Sequence, residues 1–177
     1  MYSSEKILQE IICLLSLNGG RMNLLKLMKE LYLIDRKSIQ ERDSSVSGDV
    51  FVSMPHGPVL SQTLNDLNNI PHNAWAEYLY KVESPYFPDI LVKKSIEFDR
   101  LSSKDMEYIT SISQTFKDYD EFQLEEYTHK LPEWVNPNGS SRKITFYSVM
   151  RALGKTDEEI AEAKAEYEQI NHLAELQ

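Results

Sequence analysis

The chain has 177 residues, a formal net charge of −9 and a hydrophobic share of 41%. This suits one domain, or one domain with a small subdomain, and leaves enough apolar residues for a core, which excludes a disordered chain. The acidity argues against a general nucleic-acid binder, because phosphates are repelled. A lone cysteine, Cys13, excludes a disulfide framework within one chain.

The first helix is expected over about 4–17, capped by Ser3 or Ser4, with Ile7, Ile11, Leu14 and Leu15 on one face. Cys13 falls in this apolar stretch and reads as a buried core thiol. Asn18, Gly19 and Gly20 stop the helix, since glycine accepts the left-handed conformation of a helix end. A second helix starts near Asn23, carries Leu24, Leu27, Met28, Leu31 and Ile34 at helical spacing, and ends before Ser44. In 46–53, Gly48 and Asp49 favour a turn and Val50, Phe51 and Val52 favour a strand, one arm of a small hairpin. Pro55 halts it. Pro58 is read as the first residue of a third helix, where its missing N–H costs nothing.

Residues 71–98 are the least helical, with strand-like segments at 78–82 and 90–93 around a loop holding Tyr86 and Phe87. Two strands alone are marginal, so they must lean on the helices. A fourth helix follows Ser102 or Ser103 with Met106, Ile109, Ile112 and Phe116, and a fifth spans about 120–130. A sixth is expected over about 143–153. Thr156 and Glu159 form a capping box for an acidic C-terminal helix, peripheral or partner-binding, carrying Ile160, Tyr167, Ile170 and Leu173. The expected fold is mainly α: a compact bundle of six to seven helices with a small two- to three-stranded β excursion near 46–98. Residues 1–154 form the domain, and 155–177 are a helix packed on it.

No catalytic set emerges. His56, His72, His129 and His172 belong to no His-Glu-x-x-His pair, and no second cysteine is present to build a zinc site. There is no Gly-x-Ser-x-Gly elbow, and no Gly-Lys-Ser/Thr follows Gly19 and Gly20. The chain reads as non-enzymatic, without metal or cofactor. No signal peptide and no membrane span is read, and the lone Cys13 is compatible with a reducing cytoplasm, the expected location. His56, Gly57 and Pro58 make either a rigid turn or a corner presenting His56 to a partner. Tyr32, Asp35 and Arg36 share one arc of the second helix, either pinning it or offering Arg36 for recognition. His129 suits the exposed carbonyls of a helix end, and Trp134 reads as a core anchor, or as an interface hot spot if exposed. Arg21, Lys26, Lys29, Arg36, Lys37 and Arg42 before a hairpin sketch a winged helix-turn-helix, but Glu30, Asp35, Glu41 and Asp43 interrupt them.

Four segments, in order, resemble the Panacea domain, also described as SocA-like or phage-associated GepA-like. Lys26 and Leu27 with Leu31, Tyr32, Leu33, Ile34, Asp35 and Arg36 resemble its Lys-Leu-Leu-Tyr-Leu-Ala-Asp helix, with Ile34 where the family has Ala. Ser47, Gly48 and Asp49, then Met54, His56, Gly57, Pro58 and Val59, resemble its Gly-Asp turn and His-Gly-Pro-Val corner. Leu101, Ser102 and Asp105 resemble a helix start, and Thr128, His129, Pro132, Glu133 and Trp134 its Thr-His…Trp segment. The resemblance implies an antitoxin of a toxin–antitoxin system that neutralises a toxin protein encoded nearby through direct binding. Its alternatives are an adaptor delivering the toxin to a cytoplasmic protease, or a DNA-binding transcriptional regulator. The motif residues Tyr32, Asp35, Gly48, Asp49, Gly57, Pro58, Thr128, His129 and Trp134 are read as serving the fold. The expected binding surface is Arg36, Met54, His56, Tyr86 and Phe87, facing a basic toxin. A homo-oligomer remains open.

Overall fold

The computed structural model describes residues 2–165. Its organising element is α2 (Leu24–Arg42), of whose 19 residues 13 are buried. A helix covered on nearly all sides must sit at the centre of its domain. Against it pack α1 (Ser4–Leu17), α4 (Ser103–Thr115), α5 (Glu121–His129) and a hairpin of β2 (Phe51–Met54) and β3 (Gly57–Leu60). Ile11, Leu27, Leu31, Ile34, Tyr108 and Ile109 are all but inaccessible to solvent and form the centre of the core.

Local signals set most helix ends. Ser3 caps α1 by accepting from Lys6 N, and Asn23 caps α2 by accepting from Leu25 N at 2.9 Å. Ser102 and Asp105 form a full capping box on α4, as Asp120 and Gln123 do on α5. Thr156 and Glu159 exchange hydrogen bonds of 2.7 and 3.2 Å at the start of the helical residues 157–165. Ile160 buries itself against the core, and Lys155 pairs with Asp43 at 2.9 Å. Tyr167, Ile170, His172 and Leu173 lie outside the described residues. Cys13 is buried in α1, and burial with the nearby Glu10 pushes its thiol up to about 11, which keeps it protonated.

The mainly α expectation is wrong. Two three-stranded antiparallel sheets make the fold a mixture of α and β. One has the order β1-β5-β4, from β1 (Arg21–Asn23), β4 (Leu79–Val82) and β5 (Asp89–Val92). The other has the order β3-β2-β6, with β6 (Arg142–Ile144) pairing Phe51 to Ile144 and Ser53 to Arg142. β1 and β6 are three residues long, too short for an alternating pattern to show, and their partners lie far along the chain.

Two helix starts also move. Pro58 sits in the edge strand β3, opposite Ser53, where no N–H is needed, and α3 (Ser61–Asn68) begins three residues later. The sixth helix, expected from about 143, starts as α6 (Phe146–Ala152) behind the Thr145 cap, because 142–144 are taken by the sheet. No helix among the described residues is long and apolar enough to cross a membrane.

Two buried carboxyls, Glu10 and Glu30, have oxygens without a hydrogen-bond partner. The nearest cation to Glu30 is Lys26, at 3.8 Å. Burial pushes Glu30 up to about 7 from 4.5. A carboxyl that holds its proton more tightly when folded costs nothing below 4.5, costs more as pH rises towards 7, and costs a constant amount above. Glu30→Gln is therefore expected to stabilise the protein by about 3 kcal/mol at pH 8 and by almost nothing at pH 4. Urea melts at the two pH values check this, and an equal gain at both would refute it.

Candidate partner-binding surface

Three polar assemblies tie the motif residues to α2. In the first, the Asp35 carboxylate accepts from Val46 N at 2.7 Å, Ser47 N at 2.9 Å and the Ser47 hydroxyl. Ser47 Oγ in turn accepts from Asp49 N. Asp49 accepts from Gln62 N at 3.0 Å and from Thr63 N at 2.8 Å, so it caps α3 from outside that helix. Leu60, the local cap position, makes no side-chain cap bond. Gly48, with φ +66°, gives the turn that brings Asp49 there. Burial raises Asp35 to about 6 against the pull of its donors.

In the second, Glu133 accepts from Tyr32 Oη at 2.9 Å and from Arg36 Nε at 2.6 Å. The Glu133 side chain is wholly buried. Arg36 is thus spent on an internal ion pair.

The third holds the hairpin corner. Gly57 has φ +95°, and a Cβ there would stand 2.9 Å from Thr128 Oγ1 and 3.0 Å from Lys29 Nζ. Lys29, fully buried in α2, donates to Pro58 O at 2.9 Å. Burial pulls its amine down to about 7. Trp134, half-buried, donates from Nε1 to Met54 O at 3.2 Å, and the His129 ring stacks on it at 4.1 Å. Burial lowers the His129 pKa below its ordinary value.

From this corner the exposed His56 places Nδ1 3.0 Å from Glu125 Oε1 and turns its ring edge-on to Phe87, 5.2 Å between centroids. The loop bearing Phe87 is tied back to α2, for Asn23 Nδ2 donates to Phe87 O and Leu24 N donates to Pro88 O. Met54, His56 and Phe87 thereby line one apolar cavity of about 270 Å3, together with Leu24, Met28 and Leu64. Tyr86, 75% exposed, stands beside it with its ring edge-on to the exposed Phe122 of α5. Arg36 lies outside this cavity. Glu133 and Lys29 were missed as organisers. Glu133 stands in the Pro-Glu-Trp segment quoted above, and a lysine within an apolar helical stripe is a signal of its own. Among the described residues, no group of three or more His, Cys, Asp or Glu side chains could hold a metal ion.

A family model described as antitoxin SocA-like, Panacea domain, matches residues 27–135. The chain belongs to this family. No curated protein and no solved structure matches it. The Panacea span runs from the first half of α2 to the residue after Trp134, so it holds all three polar assemblies. Membership supports an antitoxin role and, with it, a toxin as partner.

Gly57→Ala would strain the Panacea corner twice, through its positive φ and through contact with two buried groups. It is expected to cost about 2 kcal/mol in a urea melt. An unchanged midpoint would show that the corner has room to give.

Proposed function

We propose that the chain is a non-enzymatic cytoplasmic antitoxin that binds its toxin directly, and that the His56 cavity seats an apolar side chain of that toxin. The observation that carries this is convergence. Met54 and His56 from the hairpin and Phe87 from the β4–β5 loop meet at one apolar cavity, beside exposed Tyr86 and Phe122, in a chain of the antitoxin family. The cavity is smaller than the roughly 300–1,000 Å3 of small-molecule sites. Its size and lining suit the single anchor that dominates a protein interface. The corner is held from three sides, so little ordering would oppose binding. The charge of −9 favours a basic toxin.

The winged-helix alternative loses its residues. Lys26 donates to Phe116 O and Tyr119 O, Lys29 is buried, Arg36 pairs with Glu133, Lys37 with Glu41, and Arg42 with Asp105. That leaves no free basic face on α2.

Co-expression with each neighbouring gene tests the proposal. Growth arrest relieved by this chain, with co-purification, is the expected result, and a toxic neighbour that it neither rescues nor binds would sink the reading. Rescue with falling toxin levels and no stable complex would point to proteolytic delivery. Phe87→Ala should weaken the complex about thirtyfold while leaving the melting temperature close to that of the parent. Arg36→Glu should instead lower stability, because it sets two carboxylates against each other in a buried site.

A further inference from the structure

Beyond the His56 corner lies a second groove, of about 530 Å3, bounded by β6, α6 and the chain around Pro132 and Val135. Its charge is out of keeping with the molecule. The chain has 19 Lys and Arg residues. Among the described residues, only Lys117, Arg142 and Lys143 make neither an ion pair nor a side-chain hydrogen bond. Arg142 and Lys143 are adjacent and both line this groove. Arg151 joins them, and its partner Asp157 is 3.6 Å away with an 87% exposed side chain, a pair too loose to cancel its charge. The one carboxylate in the lining, Glu133, is already taken by Tyr32 and Arg36.

β6, which bounds the groove, also has a free backbone edge. β6 pairs with β2 on one side only, since the sheet ends there. Basic side chains on an edge strand discourage pairing with other strands. Arg142 and Lys143 therefore repel a neutral or basic strand, and a second copy of β6, but attract an acidic one. Val135, 44% exposed, and Ala152 offer apolar contact to the stems of such a segment.

We propose that this groove docks an acidic, extended peptide segment of a partner protein, by strand addition to β6 with its carboxylates on Arg142, Lys143 and Arg151. Nucleic acid suits it less well. Only three cations lie along it, no aromatic ring lines it for base stacking, and the molecule as a whole repels phosphate. The site is separate from the His56 corner and does not rest on it.

The test is fluorescence anisotropy on the full chain at low salt, with a labelled peptide of Glu-Glu-Val repeats, which offers carboxylates to both faces of the strand because the consecutive Arg142 and Lys143 point to opposite faces. Saturable binding that weakens as salt rises is expected. Replacing both Arg142→Gln and Lys143→Gln should weaken it about tenfold with an unchanged melting temperature. Lys117→Gln, an unpaired cation outside the groove, should leave it within about twofold. Phe87→Ala should also leave it unchanged, so failure here and failure at the corner are distinguishable. The proposal is overturned by no saturable binding, by an equal loss with Lys117→Gln, by equal affinity for the matching peptide of Lys-Lys-Val repeats, or by tighter binding of an oligothymidylate.

Discussion

The fold depends on the need to satisfy the polar groups that α2 carries into the core. A central helix made only of apolar residues would set no particular arrangement of the loops around it. This one buries Lys29, Tyr32, Asp35 and Ser38, and each polar group must find a partner because water cannot reach it. Lys29 takes the carbonyl of Pro58, Tyr32 takes Glu133, Asp35 takes the turn at 46–47, and Ser38 takes Ser44 O at 2.7 Å. The loops are positioned by these demands more than by their own propensities. Glu10 and Glu30 break the rule, and burial without a hydrogen bond to their carboxyl oxygens raises their affinity for a proton.

That scheme explains why the motif residues occur as a set. Asp35 and Asp49 are linked through Ser47, so the Gly-Asp turn is the continuation of a chain that starts inside α2 and ends as the cap of α3. Gly57 and Thr128 share the space above Lys29, so the corner and the end of α5 fit together only with a glycine at that point. Most of the motif secures a corner, and the corner exposes only a few side chains. The antitoxin role is supported by the family. The surface that would perform it rests on Met54, His56 and Phe87, which sit where this framework is most firmly held.

One sheet serves both candidate surfaces. The β2–β3 turn carries His56 to the cavity, while the opposite edge, β6, carries Arg142 and Lys143 to the groove. Between them Trp134 bonds Met54 O, and Ser53 Oγ accepts from Val135 N at 3.3 Å. The segment after α5 thus braces β2 through two hydrogen bonds.

Features that act over a few residues could be read along the chain. The bounds of α1, the cap of α4, the capping box at Thr156, the β4 and β5 strands and the burial of Cys13 were all legible, because helix caps, glycine stops and apolar periodicity operate over one or two turns. Whatever needed a distant partner was set by packing and strand pairing. β1 became a strand because residues 89–91 lie beside it, and β6 because Phe51 and Ser53 do. Pro58 has a backbone that suits a helix start or an edge strand equally, and pairing with β2 chose the strand. Arg36 looked free because helical spacing shows neighbours four residues away, not Glu133, which lies 97 residues along the chain. The same distance hid the meeting of Phe87 with His56, for no local rule brings together two loops whose only connection is the helix they both lean on.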